Sequence, residues 1–465
     1  MTLDTPPASM GTSTGTGTTD GSSAPAAAVQ AGLAEAAARF GTPVYVVDVD
    51  AVTRAAAAVE RAFPSPWVRQ YSLKANDLPA VAALLSRRGW GANVVSSGEW
   101  AGARAADVPV GRTTLEGVGK TDADLLAAVD AAVAGTPLRW LAVESADELT
   151  RLAELHRLRC DAAGHDADLP VLLRLNPDVQ PETAPGLAVG LAVSKFGLSA
   201  GDLLGLAASS VWRRGLRLAG IHVHMGSHLR DVSAWALAGC RAVGLLERAG
   251  AAYAGDGTPD TVDFGGGFPA HGTSPAPEDF AAALADELGR VGLALPATAA
   301  IEPGRVVVGG AGWLVAGVLH TRLRGDQRQV VLDAGMTELI RPALYGSHHR
   351  VTALLDPEPG DLGQGARDGV GDVLVQGAVC ESTDTFGVHR LPTLRRGDLV
   401  VLHEAGAYAA SFSSRYNGRP PAPEVLLWPD GTLSLGERAP LPSRAAAGDL
   451  IRTDDARSRS ERSQQ

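Results

Sequence analysis

The sequence predicts an α/β protein, a (β/α)8 TIM-type barrel followed by a C-terminal, mostly-β domain. Short β-branched or apolar runs alternate with Ala/Leu-rich, helix-like segments between positions 45 and 305, and beyond Arg305 the long helical stretches give way to β-rich runs. The chain has 465 residues, about three times an ordinary domain, which leaves room for a barrel and a smaller partner.

Taken in order, residues 1–28 are mainly Thr, Gly, Ser and Ala, without a basic start or an apolar core. They do not read as a signal peptide and are expected to form a disordered extension. Residues 29–44 lead in. Strands are expected at 44–48, 67–74, 90–95, 138–144, 170–176, 218–224 and 261–264. Between them, 51–63 is helix-like with Val52, Val59 and Phe63 on one face, and a second helix runs from Leu78 to Arg88. Asp77 reads as its N-cap, Pro79 as its first turn and Gly89 as its stop. The barrel is placed at 45–305 and the β domain at 306–442. In the latter, 306–308, 329–332, 372–379 and 399–403 read as strands, 356–371 as a mobile Gly/Asp/Pro-rich insertion, and 443–465 as a disordered tail.

The balance of 41 Lys+Arg against 52 Asp+Glu gives a net charge of -11. This opposes a phosphate backbone or an anionic lipid surface, so neither nucleic acid nor membrane is an expected partner. The longest uncharged apolar run, between Arg305 and His320, is too short to span a bilayer. Cys160, Cys240 and Cys380 are far apart with no CxxC spacing, and a reducing, cytoplasmic setting is expected. Only Lys74, Lys120 and Lys195 can supply lysine chemistry.

Polar and glycine residues cluster where the expected strands end: Tyr71–Asn76, Arg174–Asn176, His222–Ser227, Asp263–Gly267 and Glu302–Arg305. Barrels carry their active sites at the C-terminal ends of their strands, so these segments point to one mouth. Lys74 ends an apolar strand before a helix, a setting that favours the neutral, imine-forming amine; the competing reading is a lysine snorkelling at a strand end. Gly265, Gly266 and Gly267 can turn backbone N–H groups onto a phosphate, or make a plain tight turn. Glu302 is either an ordinary exposed carboxylate or the partner of a ring nitrogen. An imine-forming lysine, a phosphate nest, a stacking histidine and a carboxylate are together the requirements of pyridoxal 5'-phosphate.

Seven motifs follow in one order: Tyr71-Ser-Leu-Lys74-Ala-Asn76, His222-Val-His224-Met-Gly-Ser227, Asp263-Phe-Gly-Gly-Gly267, Glu302-Pro-Gly-Arg305, Arg341-Pro-Ala-Leu-Tyr345-Gly346, Cys380-Glu381-Ser382-Thr383-Asp384 and Gly406-Ala-Tyr408. With Ser194-Lys-Phe-Gly197 and 413–420, this set resembles the fold-type III pyridoxal phosphate-dependent decarboxylases over roughly residues 40–430. The resemblance implies that Lys74 holds the cofactor as a Schiff base, His224 stacks on its ring and Glu302 meets the pyridine nitrogen. Ser227, Gly265–Gly267 and Tyr408 would hold the phosphate, and Arg305 would contact phosphate or substrate. Arg341 and Tyr345 resemble the groups that grip a distal substrate carboxylate, for which a guanidinium fork is suited. Cys380 resembles a proton donor and Glu381 a receptor for a distal ammonium, both supplied by the other subunit of a homodimer. The implied reaction is decarboxylation of an amino acid, foremost meso-2,6-diaminopimelate to L-lysine. The alternatives are an ornithine/lysine-type or siderophore-precursor substrate, or a non-catalytic paralogue.

Other features read blandly. Gly117-Val-Gly-Lys120-Thr121 resembles part of a P-loop, but Thr114 stands where the first glycine belongs. His348-His349 carries no carboxylate spacing, so no metal is expected, and Lys195 reads as structural. Cys160 and Cys240 read as core. Asn93, His228, Ser347-His348 and Thr383 depart from the family pattern and bear on substrate choice.

Overall fold

The computed structural model describes residues 26–183, 185–191, 193–355 and 369–441. Residues 1–25, most of the 356–371 insertion and the tail from 442 lie outside the described residues. Helix Ala27–Phe40 begins inside the stretch read as an extension.

Eight parallel strands close into a barrel: β2 (Val68–Ser72), β3 (Gly91–Val94), β4 (Thr113–Leu115), β5 (Trp140–Val143), β6 (Leu169–Leu175), β7 (Leu216–Val223), β8 (Thr261–Asp263) and β9 (Thr298–Ile301). Closure is explicit in the register, where Val68 and Arg69 of β2 meet Ala300 and Ile301 of β9. Helices cross over between most strands. Val49–Ala62 is capped by Asp48, whose carboxylate accepts from the N–H groups of Asp50 (2.8 Å) and Ala51 (3.1 Å).

Four features differ from the sequence reading. The strand β1 (Val44–Asp48), counted with the barrel by its alternation, pairs instead with the second sheet. Strands β4 and β9 were not anticipated, because Thr-Thr-Leu and Thr-Ala-Ala-Ile are short and poor in large β-formers. The β-branched run after Glu302 is a helical turn, Arg305–Val308, because its valines are buried in the main core and tertiary packing overrides propensity. Asp77 does not cap its helix: Leu78 holds the N-cap position, while the Asp77 carboxylate pairs with Arg438.

The barrel interior changes character along its strands. Val68, Trp140, Ala142, Leu172, Ala219 and Ala300 form an apolar cluster of their own. Nearer the strand ends the interior buries Gln70, Asn93, Glu116, His222, Asp263 and Glu302. Burying so many polar groups costs stability, and the apolar shell outside the strands offsets it. That shell includes an aromatic cluster in which Trp235 stacks against Phe280 (5.6 Å), Phe268 (5.7 Å), Phe264 (5.9 Å) and Phe63 (6.3 Å). Phe264 and Phe268 flank the triple-glycine turn, so the cluster buttresses it from behind.

The second sheet has nine strands, with the path β14 (Thr385–Leu391), β13 (Gly371–Gln376), β11 (Gln327–Leu332), β10 (Gly312–Arg324), β1, β16 (Glu424–Leu427) and β17 (Leu433–Leu435). The remaining two are β12 (Val351–Leu354) and β15 (Leu399–Leu402), which pair with each other while β15 also pairs with β10. All five residues of β1 are buried, between β10 on one side and β16 on the other.

Replacing Trp235 with Ala should cost about 3–5 kcal/mol of unfolding free energy. Urea denaturation checks this; a loss below about 1 kcal/mol would mean that the cluster does not support the barrel wall.

Candidate active site

At the C-terminal mouth, a cavity of about 470 Å³ is lined by Lys74, Glu116, His224, Glu302, Arg341 and Tyr408 among others. A narrower recess continues from it toward Ser72, Ser227, Gly267 and Arg305.

Lys74 sits in a helical turn, Leu73–Ala75, directly after β2. The second domain clamps this turn: Ser411 Oγ donates to the Lys74 carbonyl (3.0 Å), and the Tyr408 N–H donates to the Ala75 carbonyl (2.8 Å). The charge on Lys74 differs from the sequence expectation. Burial pushes the amine down, but its interactions with Tyr408, Glu302 and Glu116 together outweigh it and hold its pKa above the ordinary lysine value. The free amine is thus an ammonium held by surrounding acids.

The glycine turn is built by close approach. Gly265 has φ of +69°, and a Cβ there would lie 2.5 Å from the Val223 carbonyl oxygen. At Gly266 a Cβ would lie 2.5 Å from the Glu302 carbonyl oxygen. Gly266 N–H donates to His224 Nδ1 at 3.0 Å, so that nitrogen is an acceptor. Burial, then the charges of Lys74 and Arg174, keep His224 well below its ordinary value and therefore neutral. The Glu302 N–H donates to the Gly265 carbonyl at 2.8 Å, which locks β9 to the turn.

Glu302 is 2 % exposed. Its Oε1 lies 3.0 Å from His222 Nε2, and among the described residues that oxygen makes no hydrogen bond. His222 Nε2 is also 3.5 Å from Glu116 Oε2. One carboxylate oxygen of Glu116, one of Glu302 and one imidazole nitrogen of His222 lie within 4.8 Å of one another.

Cations line the other walls. Arg174 is paired with Glu144, whose Oε2 also accepts the Gly197 N–H (2.9 Å), and its guanidinium lies over Phe196 (4.8 Å). Arg305 donates to Ser227 Oγ (3.0 Å) and lies over the Tyr408 ring (4.7 Å). Arg341 donates to Ser347 Oγ (3.1 Å) and lies 3.4 Å from His349 Nε2. Burial, and then the Arg305 charge, lower Arg341 to about 10. Among the described residues neither Arg305 nor Arg341 has a carboxylate partner, so both are buried charges facing a cavity. Nearby His228 is pushed to about 4 by burial and by Arg305 and Arg341, which leaves it neutral.

Lys74, His224, Ser227, Gly267, Glu302, Arg305, Arg341, Tyr345 and Tyr408 therefore line connected space, whereas Gly265 and Gly266, expected to join Gly267 in a phosphate nest, do not line it and donate their N–H groups to Asp263 Oδ1 (2.9 Å) and His224 Nδ1. Cys380 and Glu381 do not. Both are exposed, and Glu381 Oε1 accepts from Tyr416 of the same chain (2.7 Å). Glu116, His222 and Arg174 also line the cavity, although the sequence reading gave them no role. The His222-Val-His224 spacing held a signal, since residues two apart on a strand share a face. Lys120 is spent on structure: it pairs with Glu148 (2.8 Å) and binds the Gly117 carbonyl, with no exposed side-chain surface.

These residues fit pyridoxal phosphate. Gly267 lines the narrow recess, Glu302 presents an oxygen without a hydrogen-bond partner, and Arg305 and Ser227 offer donors to an anion, while Gly265 and Gly266 allow the close backbone approach that sets the turn. Gly266→Ala should weaken cofactor binding by about tenfold or more, since its methyl group must displace the Glu302 carbonyl. Absorbance titration of the cofactor reads this, and unchanged affinity would sink the cradle.

The family described as pyridoxal-dependent decarboxylase, pyridoxal binding domain, matches residues 49–309. Diaminopimelate decarboxylase of Aquifex aeolicus is 34% identical over 401 residues, covering 85% of this chain and 89% of that protein. Diaminopimelate decarboxylase of Zymomonas mobilis is 31% identical over 431 residues, covering 91% and 94%. Among solved structures, diaminopimelate decarboxylase from Helicobacter pylori complexed with L-lysine superposes with a TM-score of 0.74 at 27% identity, covering 91% of this chain and 99% of that one.

Proposed function

The chain belongs to the pyridoxal-dependent decarboxylases, and from that premise we propose that it converts meso-2,6-diaminopimelate to L-lysine and carbon dioxide. The observation that carries the substrate is Arg341, a buried guanidinium without a carboxylate partner in the cavity that also holds Lys74. A substrate with a second carboxylate supplies the missing charge; ornithine does not.

Pyridoxal phosphate, when bound, supplies an electron sink for the pair left behind as the carboxylate departs. The residues of this chain do the rest. Lys74 is the amine that would hold the cofactor's aldehyde. Arg305, Ser227, Tyr408 and the Gly267 N–H would hold its phosphate, because the N–H groups of Gly265 and Gly266 are already donated to Asp263 and His224, and His224 would face the ring. Glu302 keeps the ring nitrogen protonated. Arg341 and Tyr345 hold the far end of the substrate, which fixes the angle at which the reacting carboxylate leaves.

A proton must then reach the reacting carbon, and the cavity of one chain lacks Cys380. We infer a homodimer in which Cys380 of the partner subunit delivers that proton and Glu381 of the partner subunit receives the distal ammonium. The exposure of both residues supports this.

Lys74→Ala should abolish both the visible cofactor band and carbon dioxide release. Arg341→Ala should raise KM for diaminopimelate by about tenfold or more, with a smaller change in kcat. Release of carbon dioxide from ornithine but not from diaminopimelate would overturn the substrate. Mixing inactive Lys74→Ala and Cys380→Ala proteins should restore part of the activity, because a mixed dimer holds one intact site; no recovery would reject the shared site.

A further inference from the structure

The floor of the site holds more acid than one carboxylate facing a ring nitrogen requires. Glu116 follows β4 and Glu302 follows β9, and the His222 ring lies between them, 3.5 Å from one carboxylate and 3.0 Å from the other. All three are buried. Asn93 Nδ2 donates to Glu116 Oε2 (3.1 Å), whereas Glu116 Oε1, both His222 nitrogens and Glu302 Oε1 have no hydrogen-bond partner among the described residues. Two carboxylates so close and so dry do not both ionise, so one proton stays between them.

The surroundings decide which acid keeps it. Glu302 lines both the narrow recess beside Lys74 and the wide cavity, whereas Glu116 lines the wide cavity alone. Lys74 lines both spaces and interacts more strongly with Glu302 than with Glu116, so a negative charge is better placed on Glu302. We propose that Glu116 is a positioning residue that holds the shared proton on Oε1, leaving a single negative charge under the cavity and placing it on Glu302. The proposal rests on reading Glu302 as the partner of the ring nitrogen: a protonated Glu302 could not accept that N–H.

The facing groups agree. Burial, reinforced by the Glu302 charge, pushes Glu116 up to about 8, against the opposing pull of His222 and Lys74. Burial takes His222 down to about 4, so the imidazole between the two acids is neutral despite Glu116 and Glu144, and Arg174 and Lys74 oppose its charging too. Asp263, on β8, is raised well above its ordinary value by burial and by Glu302 and Glu116, and so carries its own proton. His224 is neutral. From β3, Asn93 brings an amide instead of a charge.

Glu116 has its own linkage to folding. With a native pKa near 8, far above the ordinary glutamate value, the folded chain keeps a proton that the unfolded chain has lost between about pH 5 and about pH 8. Its contribution to stability thus falls as pH rises through that window. In Glu116→Gln this dependence is absent, so the unfolding temperature of the variant minus that of wild type should become steadily more positive from about pH 5 to about pH 8. A difference that stays flat with pH would show an ionised Glu116 and overturn the proposal. In parallel, the cofactor dissociation constants of Glu116→Gln and Glu116→Met are compared in holoenzyme titrations. The neutral hydrogen-bonding amide should bind the cofactor about tenfold more tightly than the apolar isostere; equal affinities would reduce Glu116 to packing. Neither readout uses substrate, so a wrong substrate assignment leaves both intact.

Discussion

The hydrogen bond from the Glu302 N–H to the Gly265 carbonyl is the joint on which the active end depends. It continues the β8–β9 ladder one step past the regular strands, so the glycine turn and the carboxylate are set by the same register that closes the barrel. His224 enters this frame from the neighbouring strand through its bond to Gly266, and Lys74 from the other flank, where β2 pairs with β9. The site is thus not a loop assembly that could drift, and its precision is inherited from backbone pairing.

Around that frame the charges are segregated. Acids lie on the floor, at Glu116, Asp263 and Glu302, and arginines stand on the walls, at Arg174, Arg305 and Arg341. Arg174 is paired with Glu144, and among the described residues the other two have no carboxylate within ion-pair distance. Pyridoxal phosphate suits this layout because its cationic nitrogen and its phosphate lie at different ends of a rigid ring. The same segregation explains why Lys74 is held as an ammonium although it is half-buried: the polar groups around it, Tyr408 and Glu302 foremost, compensate for lost water.

Much of this was legible in the residues. Strand ends in a parallel barrel converge, so lysine, histidine, glycine and glutamate at successive strand ends had to meet. What escaped notice was non-local. The expected cap at Asp77 failed because Arg438, 361 positions later, takes its carboxylate. The charge state of Lys74 depends on three other segments, and the Glu116–His222–Glu302 cluster on three strands distant in sequence. Strands β4 and β9 were invisible because their pairing is supplied by neighbours, not by side-chain preference. The valines after Arg305 have strand propensity and still form a helical turn, because the core requires them there.

The position of β1 reaches furthest. It is hydrogen-bonded on both edges, to β10 and to β16, although those partners follow it by well over two hundred residues. As the polypeptide leaves the ribosome, the barrel strands emerge complete and can close, while one edge of β1 must wait for β10 and the other, until nearly the end of the chain, for β16. The amino-terminal segment is therefore the last seam sewn. A gene cut after β1 would leave the carboxy-terminal half as two sheet fragments with raw edges, so any split or permuted version of this enzyme must carry residues 44–48 with the second domain.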